Sequence, residues 1–232
     1  MILIRPSEAR GHVRQSWLDS RHSFSFGRYY DPREMGWGPL RVINEDWIEP
    51  ASGFSPHGHS DMEILTYVLE GALEHKDSTG GGSVLRHGEV QLMSAGRGIT
   101  HSEFNPSSSE RTHLLQIWVE PSQLGIKPGY RQQVIPGGLV AGGLRLLTSP
   151  DGRDASLPMV QDALIHAGLL DGDQRIAYPM DVHRKAYVQV ARGSLMLNGV
   201  IMQAGDGAKI AGESMLDFCA GQTAEFLLFD LP

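Results

Sequence analysis

Cysteine is nearly absent: Cys219 is the only one among 232 residues. It can form no internal disulfide, and a lone cysteine is ordinarily buried filler. Long apolar runs are missing too, and nothing approaches the roughly 18 residues of a membrane-spanning helix. The N-terminal MILIRPSEARGH turns polar too soon for a secretory signal. A cytoplasmic protein without membrane association is therefore expected. Positive charge is scarce, with 20 Lys and Arg against 27 Asp and Glu and a net charge of −7. A general phosphate-backbone binder needs a basic face, so direct nucleic-acid binding is excluded from the expected functions.

What is plentiful is glycine, at 28 residues, falling between short apolar runs. RVINEDWI, EILTYVLEG, GEVQLMSA and HLLQIWVE read as strands closed by turn residues. AYVQVARGSLMLNG, AKIAG and AEFLLFDL near the C-terminus read the same way. DSTGGGS is expected at a hairpin tip. Such spacing predicts a sandwich or barrel, and 41% hydrophobic residues supply a core without staples. The two halves also echo each other. YVLEGALEH before RHGEVQLMSAG is matched by YVQVARGSLML before QAGDGAKIAG, with Gly71 and Gly88 answered by Gly193 and Gly205. Two β modules follow from that echo. Between them, Met159 to Leu170 reads equally as an amphipathic helix or a strand.

GFSPHGHSDMEILTYVLEG, Gly53 to Gly71, carries the chemistry. On a strand, residues i and i+2 share a face, so His57 and His59 point the same way. Pro56 biases Ser55 to extended backbone and removes a donor at the start of the run. A second pair with the same spacing, His101 and Glu103, lies in GRGITHSEFNP. Converging, the two pairs offer three imidazoles and a carboxylate. That set suits Fe, Mn, Ni, Cu, Zn or Co in the divalent state better than Ca²⁺ or Mg²⁺.

These motifs resemble those of the cupins, and their wording resembles the pirin family of two-domain cupins. His57, His59, Glu63 and Gly71 follow the order of the first cupin motif, while Gly88, Gly96, His101 and Asn105 follow the second. SPHGHSDMEILTYVLEGALEHKDSTG and LMSAGRGITHSEFNPS are pirin-like, as are HSFSFGRYYDP and LRVINEDWI. There are departures: Gly53 sits closer to His57 than usual, Ser94 replaces a proline, and the loop from Gly96 to His101 is longer. Two carboxylates compete for the fourth ligand position. The resemblance to pirins favours Glu103, and so does strand parity; Glu63 is left as a neighbour of the ligands or a rim residue. His75 is either a donor behind the ligands, a pocket wall or a solvent-facing residue. His113 is expected to pack or line the barrel and not to bind metal. His12, His22, His87 and His166 have no visible partners. In the C-terminal half His183 lacks a companion, and only Asp217 and Cys219 stand where His101 would align.

The resemblance implies an all-β fold of two tandem cupin barrels (double-stranded β-helix, jelly-roll) packed together. Residues 1–130 would form the metal-binding domain and 131–232 a degenerate one without metal. It further implies a quercetin 2,3-dioxygenase-like enzyme holding one divalent transition metal per chain, Fe(II) favoured. Such an enzyme opens the heterocycle of a flavonol with O₂ and releases carbon monoxide, with Glu103 as base for the 3-hydroxyl. The expected partners are O₂ and a small aromatic or enolic substrate, and a monomer is favoured. EILTYVLEG, FSPHGH and HSFSFGRYY are candidate linings for a flat substrate. The competing expectation is an iron- or redox-sensing protein that regulates transcription through protein partners, without turnover.

Overall fold

The computed structural model describes residues 1–232. Its regular structure is strand apart from two short 3-10 turns, Ser7–Ala9 and Arg153–Ala155. The chain forms two compact units.

The first holds Gly11–Val134 and the short segment Met159–Gln161. It contains a seven-stranded and a four-stranded sheet. The seven-stranded sheet runs Gly129–Val134, Glu89–Ser94, Glu63–Glu70, Thr112–Val119, Leu40–Ile48, Leu18–His22, Gly11–Arg14. The four-stranded sheet runs Gly53–His59, Ile99–Phe104, Ala72–Asp77, Gly82–Arg86, so both histidine motifs lie on adjacent strands. Leu18, Ile48, Val68, Leu73, Leu85 and Leu114 cluster in its core. Each fully buried side chain of this size contributes about 1.5–3 kcal/mol.

The second unit holds Met1–Arg10, Ile135–Pro158 and Asp162–Pro232, and its sheet has nine strands. Val188, Val190, Phe218, Phe226 and Leu228 fill its core, with the Phe218 and Phe226 rings stacked 4.6 Å apart. Its make-up departs from a linear division at residue 130. Ile2–Arg5 pairs antiparallel with Gly207–Ala211, and the Ser7 amide donates to Asp206 Oδ1 at 2.8 Å. A partner some two hundred residues away leaves no local trace in sequence. Leu164–Gly172, which overlaps the ambiguous stretch, is a strand. It is sandwiched between Gly143–Ser149 and the long C-terminal strand, and that pairing decides what periodicity left open.

The glycine echo has a physical cause. Gly71, Gly88, Gly193 and Gly205 all have φ between 65° and 86°, the left-handed region. At Gly193 a Cβ would also come within 2.2 Å of the Gln222 carbonyl oxygen. Gly193→Ala should therefore destabilise the fold by about 2 kcal/mol or more, measured by urea unfolding.

Candidate metal centre

The strands that carry the candidate ligands are set against one another by register. His101 lies opposite His57, and Ile99 opposite His59. Glu103 lies opposite Phe54, so Ser55 and Pro56 together face Ser102 alone. That extra residue is a β-bulge on the edge strand, where a proline without an N–H is tolerated. On the other side of the central strand, His101 faces Asp77 and Glu103 faces His75. Parity places His101 and Glu103 on one face of their strand and Ser102 on the other, and the register brings His57, His59, His75 and Asp77 to the same face as His101 and Glu103.

His57, His59 and His101 each bring a ring nitrogen within 4.8 Å of the others. The His59 and His101 Nε2 atoms are 2.9 Å apart. Two nitrogens at right angles about an ion roughly 2.1 Å from each would have that separation. His57 Nδ1 lies 2.9 Å from the Ser55 carbonyl oxygen. A carbonyl only accepts, so Nδ1 is the donor there and Nε2 is the nitrogen left to face the other two rings. Burial, reinforced by His57, pushes His59 down to about 4. Burial and the neighbouring imidazoles push His101 to about 3. Both are neutral at pH 7, the form that binds a metal.

A relay stands behind His101. His75 is fully buried, with Nε2 3.2 Å from Asp77 Oδ2 and its ring stacked on Tyr130 at 4.5 Å. Donation to Asp77 leaves His75 Nδ1 as an acceptor, 3.4 Å from His101 Nδ1 and 3.5 Å from Gln91 Nε2. A proton on His101 Nδ1 then leaves Nε2 free to ligate, and the ring is fixed in that orientation. The expected consequence is a 10- to 100-fold loss of metal affinity in His75→Ala, read by competitive chelator titration.

Glu103 forms a second cluster with His101 and His75. It is 4% exposed and accepts from Gln116 Nε2 at 3.2 and 3.3 Å. Thr66 Oγ1 donates to Gln116 Oε1 at 2.7 Å, which turns the amide's N–H groups toward Glu103. Burial pushes Glu103 up to about 7 against the Gln116 hydrogen bonds, with Asp46 adding repulsion.

Glu63 lies in neither cluster. It is on the opposite face of its strand from Thr66, and its Oε2 accepts from Ser94 Oγ at 3.0 Å and the Val160 amide at 3.3 Å. His113 packs, as expected, stacked on Trp47 at 4.3 Å with Nε2 2.9 Å from Glu45 Oε1.

Residues 4–119 match the family model Pirin, and residues 146–231 match the model Quercetinase C-terminal cupin domain. A curated Escherichia coli K12 protein named quercetin 2,3-dioxygenase is 47% identical over 232 residues, covering 100% of this chain and 99% of that one. The chain belongs to the pirin family. A pirin-like protein from Caulobacter vibrioides is 41% identical over 231 residues, covering 99% of both chains. The solved nickel(II) complex of the E. coli bacterial pirin YhhW superposes with a TM-score of 0.95 at 46% identity. The match covers 100% of this chain and 99% of that one.

In this pirin the corresponding strands of the second unit are furnished differently. Ile176 pairs with Phe218 and Tyr178 with Leu216, and all four join the apolar core cluster. Asp217 turns outward to Arg175 Nη2, 2.7 Å from its Oδ2. Cys219 is half-buried and His183 exposed. His166, packed by Tyr178 with ring centroids 5.2 Å apart, is pushed down to about 4, mainly by burial. The unfolded chain takes up this proton between about pH 6.5 and 4, whereas the fold does not. The resulting stability is complete above pH 6.5 and is lost as pH falls toward 4. His166→Met should flatten that part of the pH dependence, measured as urea midpoints from pH 7 to 4.

Sequence reasoning missed Asp77 and Gln116 and left His75 open. Gln116 had one available signal, a polar residue at inward parity between Leu114 and Trp118.

Proposed function

We propose that this chain is a metal-dependent dioxygenase that opens the heterocyclic ring of flavonols such as quercetin. The observation carrying this reading is the convergence of three imidazoles beside a buried carboxyl group. His57, His59 and His101, with Glu103 as fourth ligand, fit one divalent transition metal, Fe(II) favoured, with Mn, Ni, Cu, Zn or Co also matching nitrogen-rich donors. Such an ion, when bound, supplies the Lewis acidity and electron transfer that join a flavonolate to O₂. Three imidazoles and one carboxylate leave room for substrate at a six-coordinate ion, as a catalytic site requires.

The protein's own part is to orient and to move a proton. Glu103 takes the proton of the flavonol 3-hydroxyl, and Gln116 holds its carboxyl group while it does so. Both oxygens of O₂ end on the ring carbons C2 and C4, and C3 departs with its oxygen as carbon monoxide. Support comes from the E. coli relative named for this reaction and from the nickel(II) complex of a pirin with the same fold. The test is anaerobic metal loading followed by quercetin and O₂. Loss of flavonol absorbance with stoichiometric carbon monoxide is expected; a fully loaded protein that does neither overturns the reading.

A further inference from the structure

Beside the imidazoles, within the first unit, lies a cavity of about 450 Å³. Phe54 lines it and reaches the His57 ring at 6.2 Å between centroids. Phe26 also lines it, 5.3 Å from Trp118, whose ring is in turn 4.8 Å from His59. Its floor is polar. Asn44 and Asp46 line it, at 5% and 3% exposure. Asn44 stands opposite Gln116, the residue that donates to Glu103.

Arg14, Gln15, Ser20, His22 and Arg28 also line the cavity, and Asn44 and Asp46 add acceptors. Asn44 Oδ1 is buried without a hydrogen-bond partner. Ser20 Oγ donates to Asp46 Oδ1, and His22 Nε2 lies 2.8 Å from Ser20 Oγ. That chain fixes Asp46 with one oxygen engaged. Asn44 and Asp46 lie two apart on the strand Leu40–Ile48 and so share a face; a ligand that pairs with both brings hydrogen-bond donors on a flat apolar body that suits the aromatic walls.

Building on the dioxygenase reading, we infer that this cavity seats a catechol ring, whose vicinal hydroxyls donate to Asn44 and Asp46 between walls formed by Phe26 and Phe54. In a flavonol the catechol is attached at C2, next to the 3-hydroxyl. A ring seated here therefore points that hydroxyl toward Glu103 and the imidazoles. Asn44 and Asp46 are specificity residues in this arrangement and take no part in bond breaking. A site built to pair hydroxyls rejects analogues that lack them, because its own buried groups are then left unpaired.

The test uses three flavonols that differ only in that ring: quercetin with two hydroxyls, kaempferol with one and galangin with none. Affinities come from calorimetry on nickel-loaded and metal-free protein, and KM and kcat from the iron-loaded protein. Quercetin should bind about 10- to 100-fold more tightly than galangin. Asp46→Asn, which keeps the shape, and Asn44→Leu should each shrink that ratio toward one while galangin affinity holds. The loss should appear in KM with kcat retained. Equal affinities for the three flavonols in the unsubstituted protein overturn the inference, as does an unchanged ratio in a folded Asp46→Asn. Carbon monoxide released from quercetin and galangin at equal KM removes the catechol assignment and leaves the dioxygenase reading standing. Discriminating binding without carbon monoxide does the reverse.

Discussion

His101→Ala should abolish stoichiometric metal binding, and no other single substitution is expected to cost as much. His101 is the residue shared by the His57–His59 cluster and the His75–Glu103 cluster. Its loss removes one ligand, separates Glu103 from the remaining imidazoles and leaves His75 with a lost partner. Removing a ligand from a four-ligand site strands the others in a pocket shaped for an ion. Metal content after gel filtration should fall from near one per chain to background, and nickel should no longer raise the melting temperature. Glu63→Gln is the matched control, since Glu63 faces Ser94 and Val160 instead, and it should keep its metal. Full metal content in His101→Ala, or its loss in Glu63→Gln, would reverse the ligand assignment.

The second large effect is on turnover. Glu103→Gln removes the proton acceptor but preserves size and hydrogen-bonding reach to Gln116. A positioned general base contributes about 10²- to 10⁴-fold, so kcat for quercetin should drop by that amount. Metal affinity should drop with it, which makes the comparison meaningful only at saturating metal, with occupancy measured in the same sample. If the saturated variant opens quercetin at the unsubstituted rate, Glu103 is not the base. Gln116→Leu should give a smaller loss, because it frees the carboxyl group without deleting it.

How far the sequence could be read depended on whether the information was local. His57 with His59, and His101 with Glu103, were visible because parity along a strand is a property of neighbouring residues. The glycine echo was visible because left-handed turns demand glycine wherever they fall. Strand partnership is different. Nothing within LEHKD reveals that His75 lies across from Glu103, or that Asp77 lies across from His101; only the order of strands in the sheet does. The same applies to a polar row on the large sheet, where Gln91, Thr66, Gln116, Asn44 and His22 pair successively across five strands. Each looks like an isolated polar residue in an apolar run until the register is known. The first ten residues joined the distant unit for the same reason.

The bulge at Ser55 and Pro56 has a consequence for how this protein behaves in a crowded solution. Two histidines ride on a border strand, Gly53–His59, whose outer flank pairs with no other strand. An open flank of that kind invites strands from other molecules, and flat, regular borders seed aggregates. A misaligned backbone with a missing amide offers a poor template for such docking. The irregularity that spaces Glu103 from His101 relative to its neighbour thus also acts as a guard, keeping a chemically reactive margin of the barrel from becoming an adhesive one.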